Sequence, residues 1–141
     1  MTKLRFLPTL ADLEGDWKRV RSLFQDAVEQ AVKGEFAVED IEALARSGHV
    51  LIGVIEEEEG REILMALALE IRRYPRMAVL NVMAMGGQRM AELFAAHSEE
   101  IARFARSVGI THFEAAGSRA VAKMLINCGW EFAYETVRYK L

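Results

Sequence analysis

Cysteine is nearly missing from this chain. Cys128 is the only one in 141 residues, so no disulfide can form within the chain, and a reducing compartment, the cytoplasm, is the expected setting. Long apolar runs are also missing. Although 52% of the residues are hydrophobic, no window reaches the about 18 consecutive apolar residues of a membrane span. The opening MTKLRFLPTL is too short and too mixed for a signal peptide. No sign of charge dominates: 18 basic residues against 21 acidic ones leave a net charge of −3, which gives no general pull toward nucleic acid or an anionic membrane. His49, His97 and His112 lack the spacing of metal ligands, so no metal site is expected. Repeats, low-complexity tracts and linkers are absent, which makes 1–141 one expected domain, long enough to bury a single substantial core.

What is present is organised around Val79–Val108. The stretch reads VLNVMAM, then GGQR, then MAELFAAHSEEIARFARSV: a buried strand, a two-glycine turn and a long amphipathic helix. Met90, Leu93, Phe94, His97, Ile101, Phe104, Ala105 and Val108 recur at spacings of three and four and form one helical stripe. The turn would set a helix N-terminus just past a buried strand, where free N–H groups and the positive end of the helix dipole can hold an anion.

The rest of the chain alternates period around that stretch. Lys3–Leu7 reads as a first strand ended by Pro8, with Thr9 placed to cap a helix and Asp12 in its first turn. Leu10–Val32 has helical spacing, with Gly15 as a weak point and Lys33-Gly34 as the stop. A shorter helix follows over Val38–Arg46. Val50–Ile55, the strand around Ile63–Arg72 and Ala78–Met85 then predict a three-stranded antiparallel meander, turning at Glu56–Gly60 and at Arg73–Arg76. Ala78–Met85 is apolar on both faces apart from Asn81, as in a central strand. Ile110–Ala116 reads as a strand parallel to it across the long helix. A final helix from Ser118 to about Asn127 and a last strand over Glu131–Leu141 complete an α/β (α+β) order, with a mixed sheet of about six strands and about four helices.

With this order the chain resembles the GNAT family of N-acetyltransferases over nearly its whole length. The residues that carry the resemblance are the two helices before the meander, the strand–turn–helix at Val79–Val108, and the closing Gly129-Trp130, similar to the family's Gly-Phe. The resemblance implies a fold in which the parallel pair Ala78–Met85 and Ile110–Ala116 splays apart. It also implies acetyl-CoA in the split, with its pantetheine arm along Val82, Met83 and Ala84 and its pyrophosphate on Gly86, Gly87, Gln88 and Arg89. Three departures stand out. Gly86-Gly87-Gln88-Arg89 is shorter than the family's Gln/Arg-x-x-Gly-x-Gly/Ala, Ser118 stands where Asn is frequent, and Leu125 stands where a Tyr commonly protonates the departing thiolate. The chain also resembles small GNAT-like proteins of tailed phages and prophages. The shared features are Ala105-Arg106-Ser107-Val108-Gly109, Gly117 before the last helix and the closing Gly-Trp; Ala120-Val121 stands where those proteins have Gly-Trp.

Candidate chemistry follows from both lines. The glycine pair either opens backbone N–H groups to a phosphate beside Arg89 or simply lets a buried strand turn sharply. Acetylation needs a neutral amine, hence a base: Glu114 and His112 share a face of their strand, and Glu70 and Asn81 can line the same split. Tyr134 is a replacement acid or an ordinary strand aromatic. Two functions fit. One is an acetyl-CoA-dependent N-acyltransferase acting on an amine by direct attack. The other is a GNAT-fold phage or prophage protein without catalysis, binding a phage or host protein in a virion or in the host cytoplasm, with an oligomer open to either.

Overall fold

The computed structural model describes residues 1–141. The elements run β1 (Thr2–Leu7), α1 (Leu10–Ala31), α2 (Val38–Arg46), β2 (Leu51–Glu57), β3 (Ile63–Tyr74), β4 (Met77–Gly87), α3 (Met90–Ser107), β5 (His112–Ala115) and α4 (Arg119–Asn127). One sheet holds the strands in the order β1-β2-β3-β4-β5. Every neighbouring pair is antiparallel except β4 and β5, which run parallel. No helix is long and apolar enough to cross a membrane.

The sheet separates two apolar layers. On one face Leu13, Trp17, Val20 and Phe24 of α1 and Val38 and Ile41 of α2 bury Ile52, Val54, Ala66 and Ala68. On the other, Leu93, Phe94 and Ile101 of α3 and Leu125 of α4 bury Met65, Leu67, Leu69, Leu80 and Val82. The alternation of β3 is thus large toward α3 and alanine-sized toward α1, so α1 comes close to the sheet. Helix starts follow their caps. Thr9 accepts from Asp12 N at 3.1 Å, and Ser118 accepts from Val121 N at 3.3 Å. α1 runs through Gly15 as one unbroken helix.

The last expected strand is absent. Residues 130–141 form no strand, and Phe132, Tyr134, Val137, Tyr139 and Leu141 are exposed. Aromatic and β-branched residues of this kind suit a pleated surface, but a strand is defined by the edge it pairs with, and this segment pairs with none. It is held instead at two places. Trp130 stacks on Phe113 (centroids 5.5 Å apart) and meets Phe94 edge-on at 5.9 Å. Arg138 reaches the connection between α1 and α2.

A buried ion network ties β1, β2 and α1 together. Arg5 donates to both oxygens of Glu56 at 3.0 Å and lies 2.9 Å from Asp16, which also bonds Arg19. Glu56 is only 1% exposed. The Arg5 hydrogen bonds hold the Glu56 carboxyl below its ordinary value against the opposing effect of burial. Burial pushes Asp16 up, but hydrogen bonds from Arg19 and Arg5 outweigh it and leave it lowered. Both carboxyls are lowered in the folded state, so their contribution is complete at neutral pH and is lost as pH falls below about 4.5, through the lowered values. Glu56→Gln is expected to cost about 2–3 kcal/mol at pH 7, less than a fully buried pair because Arg5 is partly exposed. Melting curves between pH 3 and 7 should show a shallower acid decline in the variant than in the native chain. Parallel declines would remove Glu56 from the account.

Candidate active site

The site begins where two strands part. β4 pairs with β5 only from Val79↔His112 to Val82↔Ala115, yet β4 continues to Gly87 while the other chain turns away through Ala116 and Gly117. On the far side of β4 a bulge between Ala68 and Leu69 sets Leu69 opposite Val82 and Ala68 opposite Ala84. Met83 therefore has a partner in neither neighbouring strand. The split opens a cleft of about 720 Å³, walled by Val82–Met85, by Ala115, Ala116 and Gly117, and by Ala27, Ala31 and Phe36 of the α1–α2 layer. A recess of about 280 Å³ continues it past Gly86, Gly87, Gln88 and Ser118, sharing Ala27, Ala31, Met85 and Val121.

The glycine turn does more packing than its sequence suggests. A Cβ on Gly86 would lie 2.2 Å from the Leu23 carbonyl oxygen of α1. One on Gly87, at φ +140°, would lie 2.2 Å from the Leu64 carbonyl oxygen of β3. Gln88 N donates to that same Leu64 oxygen at 3.0 Å. Arg89, at φ 54°, is the N-cap of α3 and offers no side-chain cap, so the first-turn N–H groups of α3 keep their donors at the recess. Its guanidinium lies on Glu92, at 2.8 Å from Oε1 and 3.1 Å from Oε2, which raises the Arg89 pKa and lowers that of Glu92.

At the other end, register places Glu70, Asn81 and Glu114 side by side across β3, β4 and β5. Asn81, only 4% exposed, donates through Nδ2 to Glu70 Oε1 at 2.8 Å, and Arg72 Nε donates to the same oxygen at 3.0 Å. Arg72 Nη1 lies 3.9 Å from Glu114 Oε1, which accepts from the Tyr74 hydroxyl at 2.7 Å. That bond pushes the Tyr74 pKa up. Glu70, Arg72 and Asn81 line the cleft; Glu114 lies one strand beyond them and is outside its lining. His112 is exposed and bonds its neighbour Thr111 at 2.7 Å. Tyr134 is 71% exposed on the irregular C-terminal segment. Leu125 is buried among α3 and α4 side chains. His97 is a core residue, bonded to Thr2 at 3.0 Å and Glu100 at 3.2 Å. Arg72 and Tyr74 were not legible as site residues, because a run of arginine and tyrosine beside Pro75 reads as a solvated turn; only the register across three strands brings them to the two carboxylates.

No family model and no curated protein sequence matches the chain. Solved structures do. An acetyltransferase of Trypanosoma brucei superposes with a TM-score of 0.70 at 18% identity, over 100% of both chains. The aminoglycoside N-acetyltransferase AAC(6')-Iy, solved in complex with CoA, gives 0.70 at 14% identity over 100% of this chain and 95% of its own. Glucosamine-6-phosphate N-acetyltransferase from Arabidopsis thaliana gives 0.63 at 18% identity, over 99% and 98%. The fold is that of the GNAT acetyltransferases: mixed α+β, with five strands here where about six were expected.

Proposed function

We propose that this protein is an acetyl-CoA-dependent N-acetyltransferase that acts on an amine by direct attack. The observation that carries the reading is the parting of β4 from β5 beyond Val82↔Ala115, which opens a long trough with an apolar middle and a donor-lined end. Such a trough suits a ligand with an extended arm and an anionic head. Val82, Met83 and Ala84 would lie along the arm, and Met83, unpaired on both sides, offers backbone N–H to a carbonyl oxygen. Gly86, Gly87 and Gln88 shape the recess, the α3 N-terminus supplies donors to a phosphate, and Arg89 reaches it by exchanging Glu92 for the anion. Bound acetyl-CoA would supply the activated acyl group as a thioester.

The chain's own residues then handle the amine. Glu70 is assigned as the proton acceptor ahead of Glu114, because Glu70 lines the cleft while Glu114, which accepts a hydrogen bond from the Tyr74 hydroxyl, lies outside that lining. Asn81 and Arg72 fix its carboxylate. The attacking nitrogen would form the new C–N bond as the acyl C–S bond breaks, the sulfur leaving as the CoA thiolate with that bond's electron pair, and the amine proton would pass to Glu70. His112 and Tyr134 lie outside the cleft lining and are assigned no step, and Leu125 cannot serve as an acid. The competing reading, a non-catalytic phage or prophage protein with a phage or host partner, draws support from the packing role of Gly86 and Gly87 and from Arg89 being spent on Glu92.

Thermal unfolding with acetyl-CoA separates the two. Ligand at 100 times its dissociation constant adds about 2.7 kcal/mol, a rise of several degrees for a domain of this size. The enzyme reading expects a saturable rise, reduced in Arg89→Ala. No rise at millimolar acetyl-CoA would favour the partner-binding reading.

A further inference from the structure

The C-terminal segment ends its path on the rim of the cleft, and the contact there has a defined chemistry. Arg138 Nη1 donates to the Lys33 carbonyl oxygen at 2.6 Å, and Nη2 donates to Glu35 Oε2. The other Glu35 oxygen accepts from Lys33 N at 3.0 Å, which fixes the carboxylate beside that carbonyl. Glu35 lines the cleft next to Val32 and Phe36, and Glu70 lines the same cleft. A carbonyl and a carboxylate side by side, each taking one N–H of the same fork, match a planar guanidinium and not a point charge. The contact is shallow, since Arg138 is 61% and Glu35 41% exposed, and exposed ion pairs hold little. Between Trp130 and Arg138 no backbone hydrogen bond fastens the segment. The chain's own arginine therefore sits on a seat it can leave.

We infer that Glu35 and the Lys33 carbonyl form a guanidinium-binding subsite at the cleft rim, filled by Arg138 in the free protein and taken over by the guanidinium of an acceptor whose amine extends into the cleft. The proposal deepens the acyl-transfer reading by naming the acceptor class, a primary amine that also carries a guanidinium. Displacing Arg138 also lifts the C-terminal segment from the rim, so entry of the acceptor and opening of that edge are one event.

Calorimetric titration with agmatine, an amine bearing one guanidinium, tests it without acetyl-CoA. Arg138→Ala removes the internal competitor and should bind agmatine at least about fivefold more tightly than the native chain. Glu35→Gln in the Arg138→Ala background should cancel that gain. Butylamine, which lacks the guanidinium, should show no difference among the three proteins. Equal agmatine affinity in the native chain and Arg138→Ala would overturn the subsite, as would an equal gain for butylamine, which would mean only a wider opening. Acetyl-CoA is titrated separately. If it fails to bind while the agmatine gain persists, the acyl-transfer reading fails and the subsite stands; if it binds and no gain is seen, the reverse holds.

Discussion

Gly87→Ala should lose about 3 kcal/mol or more of stability, a fall of about 10 °C in melting temperature. Two causes add at one atom. The φ of +140° is disfavoured for any residue with a Cβ, and that Cβ would meet the Leu64 oxygen at 2.2 Å and Met65 Cα at 2.7 Å. Both neighbours are β3 backbone, which moves only if the β3–β4 ladder moves with it. Gly86→Ala should follow closely, because its Cβ would meet the Leu23 oxygen of α1 at 2.2 Å. Gly109→Ala is the control: φ is +81° but the space is open, so only the conformational cost of about 1 kcal/mol applies. Urea and thermal unfolding of the three variants give the order. A Gly87→Ala loss as small as that of Gly109→Ala would show that the turn exists for its backbone freedom and not for the approach of α1 and β3.

Under the proposed acetyl transfer to an amine, Glu70→Gln should lower kcat about 100-fold, while Glu114→Gln should lower it only a few-fold. The amide keeps the hydrogen bonds' shape and loses the proton acceptor. Glu70 lines the cleft between Asn81 and Arg72, whereas Glu114 stands beyond it with the Tyr74 hydroxyl on its oxygen. Raising the pH supplies the neutral amine without help, so the Glu70→Gln deficit should shrink at high pH. A larger loss from Glu114→Gln would move the base from β3 to Glu114 on β5, and a Glu70→Gln deficit independent of pH would remove Glu70 as the base.

These two predictions also mark what the sequence discloses. Periodicity placed α2 at Val38–Arg46 and the meander close to its observed limits, because each element buries one regular face and ends at a glycine or a charged turn. Thr9 and Asp12 marked the start of α1 through a bond between near neighbours, which is local chemistry. The segment Glu131–Leu141 misled for the opposite reason: a composition of aromatic and β-branched residues is local, but pairing requires an edge elsewhere in the fold, and here the chain is held by Trp130 and Arg138 instead. The glycine pair was visible while its reason was not, since Leu23 and Leu64 lie more than twenty residues away in sequence. The same holds for the row Glu70–Asn81–Glu114. Three strands must be set in register before the two carboxylates, Arg72 and Tyr74 are seen as one cluster.

The proposed acyl transfer requires the split between β4 and β5 to seat an acyl-CoA. Calorimetric titration of acetyl-CoA into the native chain and into Ala116→Trp, whose indole would fill the split from an exposed wall position, tests that claim most directly. Saturable one-to-one binding to the native chain, abolished in an Ala116→Trp variant with an unchanged melting temperature, is the predicted result. Equal binding to both proteins, or none to the native chain, would contradict it.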